Sequence, residues 1–79
     1  MRIDKYLKVS RIIKRRAVAK DACDQGRVLI NDKVVKAGAI VSIGDIITIR
    51  FGAKEIKVKV INLSETVRKN EAEDMYESI

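Results

Sequence analysis

Arg2, Lys5, Lys8, Arg11, Arg15, Arg16 and Lys20 all fall within the first twenty residues of the chain, mostly three or four positions apart. Cations at that spacing stand on one side of a helix, where several can meet phosphate groups together. Asp4 is the one acid among them. A carboxylate repels phosphate, so the work expected of Asp4 is to orient Arg2 or Arg16 through a charge-assisted bond, or to cap a helix start. Its other possible use is a direct bond to a base or a ribose hydroxyl. The stretch RIDKYLKVSRIIKRR holds seven Lys or Arg against that single Asp, so ion pairs within its own helices cannot absorb the charge.

The rest of the composition argues against catalysis. The 79 residues include no His and one Cys, and they contain no glycine-rich phosphate loop. Neither a metal site nor a paired-carboxylate pocket has the side chains it needs, so we expect a binding protein that is not an enzyme and needs no cofactor. Cys23 can form no internal disulfide, which suits a reducing cytoplasm, and its place on a helical packing stripe predicts a small buried thiol. The chain lacks a secretory h-region and any apolar run near the roughly 20 residues of a membrane span. Basic helices also bind anionic lipid, but here their apolar faces are needed to cover a sheet. The net charge is +6, with the basic excess in residues 1–36 and an acidic excess in 64–79. A polyanionic partner meeting the front half is the natural reading.

Two helices and a sheet must position those cations. Ile3, Tyr6, Leu7 and the small Ser10 recur at helical spacing, predicting a helix over about 2–9. A second helix is predicted over about 14–25, with Val18, Ala19, Ala22 and Cys23 as its packing stripe and Gly26 just past its end. Arg11 to Ile13 must turn the chain without Gly or Pro. Strands follow at about 27–31, 33–36, 45–51 and 54–63, with Asn31-Asp32 taking the positive φ of a tight turn and Gly44-Asp45 marking another. In the last strand Ile56, Val58 and Val60 alternate with Lys57 and Lys59, predicting one buried and one wet face. Residues 1–63 thus form one α+β domain, and 64–79 an acidic tail, helical in part or mobile. Tyr6 belongs to the core rather than to a base-stacking platform, and Phe51 to the core or a strand end. So few aromatics favour a folded nucleic acid, met through backbone and shape.

At this point the residues carry a resemblance. MRIDKYLKVSRIIKRR, Ala19, QGRVLIN and VSIGDIITI resemble the RNA-binding domain named after small-subunit ribosomal protein S-four, over roughly residues 1–50. Short chains that open directly on this motif are similar to small heat-shock-type ribosome-binding proteins and to the P-site factors of bacterial ribosome-associated quality control. The likeness to the latter extends through RFGAKEIKVKVINL and AEDMYESI. A Met abutting the motif leads us to expect that no segment precedes it.

What the resemblance implies is a two-helix αL motif packed on a small bent antiparallel sheet. It places Arg2, Asp4, Lys5 and Arg16 at RNA-facing motif positions; Lys8, Arg11, Arg15 and Lys20 extend that surface on geometry alone. Its implied partners are large-subunit ribosomal RNA, peptidyl-tRNA and an obstructed large ribosomal subunit carrying a tailing protein, with no DNA and no membrane. The chain would act there as a monomer. A generic heat-shock-type ribosomal-RNA-binding or ribosome-recycling protein and an accessory domain of an RNA-modification enzyme are the competing readings. The turn departs from the family pattern, with Asn31-Asp32 in place of Asn-Gly.

Overall fold

The computed structural model describes residues 1–64 and 75–79. Two helices, α1 (Ile3–Val9) and α2 (Arg16–Asp24), precede five strands: β1 (Val28–Ile30), β2 (Lys33–Val34), β3 (Ile46–Phe51), β4 (Lys54–Val60) and β5 (Tyr76–Ser78). The strands form one antiparallel sheet in the order β2-β1-β3-β4-β5. Ile3, Tyr6, Leu7, Ala19 and Cys23 from the helices bury against Val28, Ile47, Ile49, Val58 and Val60 from one sheet face. This is the α+β arrangement the sequence leads one to expect.

Both helices end on a residue of positive φ, a glycine in one and an arginine in the other. After α2, Gly26 takes φ 73°, its N–H donates to the Cys23 carbonyl at 3.0 Å, and the Arg27 N–H donates to the Ala22 carbonyl at 3.0 Å. That is a Schellman stop with glycine in the left-handed place. After α1 the left-handed residue is Arg11, at φ 63°, whose N–H donates to the Lys8 carbonyl at 3.1 Å. The turn without Gly or Pro is therefore made by forcing an arginine where a Cβ is unwelcome, at a cost of roughly 1 kcal/mol.

The start of α1 has no side-chain cap. Its first amides are satisfied by a neighbouring loop instead: the Ile3 N–H donates to the Ala39 carbonyl at 2.7 Å and the Asp4 N–H to the Ala37 carbonyl at 3.4 Å. The Val41 N–H donates to the Met1 carbonyl at 2.9 Å, and Arg2 pairs with Ile40 as an antiparallel bridge. Residues 37–41 thus fix where α1 begins.

Asn31 and Asp32 both have positive φ, 51° and 68°, so the β1–β2 hairpin turns through a type I′ pair. Asn31 also ties this turn to the one before β3. Its Nδ2 donates to Asp45 Oδ1 at 3.1 Å, its Oδ1 accepts the Ile46 N–H at 2.9 Å, and Asp45 Oδ2 accepts the Ser42 N–H at 2.8 Å. Asp32 makes no such bond among the described residues, and its Cβ carries the strain alone. Asp32→Gly is expected to stabilise the fold by about 0.5–1 kcal/mol, raising Tm by roughly 2–8 °C, as a thermal melt would show.

The structure departs from the sequence-based expectations at three places. Val18, expected in the packing stripe, is half-exposed: Ala19 and Cys23 take the core face, and Val18 sits 100° round the helix. It lines a cleft of about 380 Å3 with Ile12, Ala22, Gln25 and Phe51. Ile56 is exposed although its partner across the hairpin, Ile49, is buried, while Val58 and Val60 are buried as the alternation requires. The expected tail also ends in a strand: Tyr76 pairs with Val60 and Ser78 with Val58, and Met75 is fully buried. The boundary drawn at residue 63 therefore cuts across the sheet; residues 65–74 of the tail lie outside the described residues.

Candidate nucleic-acid interface

Asp4 is the centre of the cationic cluster. Its side chain is 3% exposed, whereas those of Arg2 and Arg16 are 50% and 48% exposed. Arg2 Nη2 lies 3.2 Å from Asp4 Oδ2, and Arg16 Nη2 lies 3.4 Å from Asp4 Oδ1. Oδ1 also accepts the backbone N–H of Lys5 at 2.7 Å. One buried carboxylate thus holds two guanidinium groups, fourteen residues apart in the chain, at the junction of α1 and α2. Each arginine keeps half its surface for solvent or for a partner.

Buried, with both oxygens engaged, Asp4 holds Arg2 and Arg16 in place, which is the orienting use the sequence suggests for it. The sequence could show the pairing only as one of several uses, because a helical wheel does not reveal that Asp4 faces the start of α2.

The other predicted cations surround this pair. Lys8 ends α1, Arg11 occupies the strained turn, Arg15 is the residue before α2, and Lys20 lies one turn beyond Arg16. All four are exposed, and none of their side chains has a hydrogen bond or ion pair among the described residues. Lys5, on α1, is half-buried. The first turn of α2 carries no acid and no side-chain cap, so its positive helix pole adds to the field of Arg15 and Arg16.

The outer face of the sheet carries no such excess. Arg50 pairs in register with Glu55, Lys57 Nζ lies 3.7 Å from Glu55 Oε1, and Lys59 pairs in register with Glu77. Acids are interleaved with these cations, which largely cancels them at a distance. The larger excess of positive charge belongs to the helices.

The remaining groups of note are structural. Tyr6 is buried and its hydroxyl donates to the Met75 carbonyl at 2.6 Å, joining α1 to the returning end of the chain. Burial, and then the neighbouring Tyr76, push the Tyr6 pKa up to about 12. Cys23 is buried, and its thiol is pushed up to about 11 by burial and then by Asp4 and Asp24, so it stays protonated and unreactive. Phe51 is the last residue of β3 and half-exposed, a strand end and not part of the core. No group of three or more metal-ligating side chains occurs among the described residues, and no described helix is long and apolar enough to cross a membrane.

Sequence reasoning missed the loop 37–41. It carries no charge and meets the quoted motifs only at Val41, yet it sits against Arg2; a Cβ built on Gly38 would come 4.0 Å from Arg2 Nη2. The periodicity of the strands offered no signal for that contact.

Comparison with known proteins agrees with this geometry. The family model described as the S4 domain matches residues 1–47. The chain is 56% identical over 77 residues to the RQC P-site tRNA stabilizing factor of Halalkalibacterium halodurans, covering 98% of this chain and 88% of that one. It is 53% identical over 76 residues to the protein of the same name from Bacillus subtilis, covering 96% and 88%. Among solved structures, the heat shock protein 15 of Vibrio cholerae superposes with a TM-score of 0.91 at 31% identity, covering 100% of this chain and 81% of that one. With the motif residues, the helix–sheet architecture and the long matches in agreement, the chain belongs to the S4-domain family, in the group represented by the RQC P-site tRNA stabilizing factors.

Proposed function

We propose that this chain is an RNA-binding factor of ribosome-associated quality control. It binds obstructed large ribosomal subunits through ribosomal RNA and peptidyl-tRNA. There it stabilises the P-site tRNA while a partner protein adds a template-free, alanine-rich tail to the stalled nascent chain. It does so by binding alone, in the cytoplasm, without catalysis of its own. The observation that carries this reading is the pair Arg2 and Arg16, aimed by one buried carboxylate and half-open to a partner. Phosphates on a folded RNA are the ligands that such a fixed, planar, doubly charged fork suits. The names of the most similar relatives support the ribosomal assignment.

The test is cryo-electron microscopy of particles captured on the tagged, full-length chain. The expected result is a large subunit with the α1–α2 face on ribosomal RNA and a tRNA in the P site. Capture of empty small subunits, or of large subunits with the sheet face turned to the RNA, would overturn the proposal.

A further inference from the structure

We propose that Ile40 is a second, uncharged contact of the RNA surface, packing on the ribose face of the strand whose phosphates Arg2 holds. The inference rests on the RNA reading above and adds to it a residue that no charge argument selects. Ile40 is 65% exposed, among the most open large apolar side chains in the molecule. Its backbone forms an antiparallel bridge with Arg2, flanked by the bonds Ile3 N–H to Ala39 and Val41 N–H to Met1. Residues directly opposite in such a pair send their side chains to the same side, with Cβ atoms about 4.5–5.5 Å apart. Ile40 therefore rises beside Arg2. Its exposure is held in place by the loop that defines the start of α1, so it cannot fold away without disturbing that helix.

The chemistry of the occupant follows from the neighbour. Arg2 offers a fixed guanidinium to phosphate, and the sugar lies next along the same strand. Ribose presents aliphatic carbons as well as its hydroxyl, and the shallow groove of an RNA helix displays sugars at its surface. Gly38 adds no side chain beside the Arg2 guanidinium, so the strand can come close to the backbone there. Apolar packing and phosphate pairing differ in salt dependence, because only the second releases counterions. That difference makes the assignment measurable.

The experiment compares wild type with Ile40→Ser, Ile43→Ser and Arg2→Gln, binding each to large ribosomal subunits and to protein-free large-subunit ribosomal RNA across a salt series. Ile43 is 66% exposed but lies beside Gly44, whose N–H donates to the Val60 carbonyl on the sheet, which makes it a control matched in exposure. Circular dichroism should be unchanged for both isoleucine variants. Ile40→Ser is expected to bind both targets about five- to tenfold more weakly at every salt concentration, with an unchanged salt slope. Arg2→Gln should flatten the slope by about 1, and Ile43→Ser should match wild type. The inference is overturned if Ile40→Ser binds like wild type, or if Ile43→Ser shares its loss. It is also overturned if the loss appears on intact subunits alone, since the contact would then be to a ribosomal protein. If Arg2→Gln leaves both affinity and slope intact, the RNA reading itself has failed, which is a different result.

Discussion

Reversing both guanidinium charges, Arg2→Glu with Arg16→Glu, is expected to abolish co-sedimentation with large ribosomal subunits while the far-ultraviolet circular dichroism remains that of the native chain. The reason lies in how each arginine is held. Both are half-exposed and neither forms part of the apolar core, so helix and sheet packing survive their replacement. Placing two more carboxylates beside Asp4 will lower Tm somewhat through like-charge repulsion. The milder pair Arg2→Gln with Arg16→Gln separates that effect from binding. Hydrogen bonds to charged groups are worth about 1.5–3 kcal/mol each, so losing two should weaken binding at least roughly a hundredfold even in the neutral variant. If Arg2, Lys5, Lys8, Arg16 and Lys20 each neutralise one phosphate, the wild-type salt slope is roughly −3.5 to −4.5, and raising salt from about 50 to 200 mM costs on the order of a hundredfold in affinity. Undiminished binding by the folded Gln pair would show that the RNA surface lies elsewhere.

The second large effect comes from Asp4, and its sign is unusual. Removing an acid from a protein that binds a polyanion should ordinarily tighten binding, since a repulsive charge has gone. Here Asp4→Asn is expected to weaken it about tenfold, because two guanidinium groups lose the anion that aims them. The Asn Oδ1 can still accept the Lys5 N–H, so the Asn variant should keep most of its stability. Asp4→Ala removes that bond as well. Its cost should be about 1–2 kcal/mol, with the arginine pairs discounted because solvent screens their half-exposed ends. For a chain of this size that lowers Tm by roughly 4–16 °C. Thermal melts and salt-resolved binding of the two variants therefore part in a defined way. Tighter binding by Asp4→Asn would remove the positioning role and leave Asp4 a purely structural residue.

The sequence made these elements legible unevenly. The helices were readable because Ile3, Tyr6 and Leu7 recur at helical spacing and Gly26 marks a stop. Val58 and Val60 were readable because a strand alternates. Val18 and Ile56 were misplaced for a shared reason: periodicity says which side of an element is apolar, not where the opposing layer ends. The returning strand at Tyr76–Ser78 was hidden because its acidic flank suggested a solvated tail, while the bonds that fix it come from Tyr6 and from the backbone of β4. At the site, the cations were visible as composition, but their convergence on Asp4 depends on the crossing of α1 and α2, which no local pattern encodes. Ile40 was invisible because its meaning comes from a single backbone bridge.

The bonds from Asn31 to Asp45 and Ile46 bear on how this family can diverge. Asn31, Gly44 and Asp45 are among the letters by which the fold is recognised in sequence, yet the side chains of Asn31 and Asp45 bond one another and turn backbone, and Gly44 bonds the backbone of β4. A descendant could therefore keep every one of them and still exchange Arg2 or Arg16, retaining the architecture while abandoning its nucleic acid. Inheritance of the scaffold and inheritance of the cargo are written in separate residues, and only the second should be used to transfer a role from one member to the next.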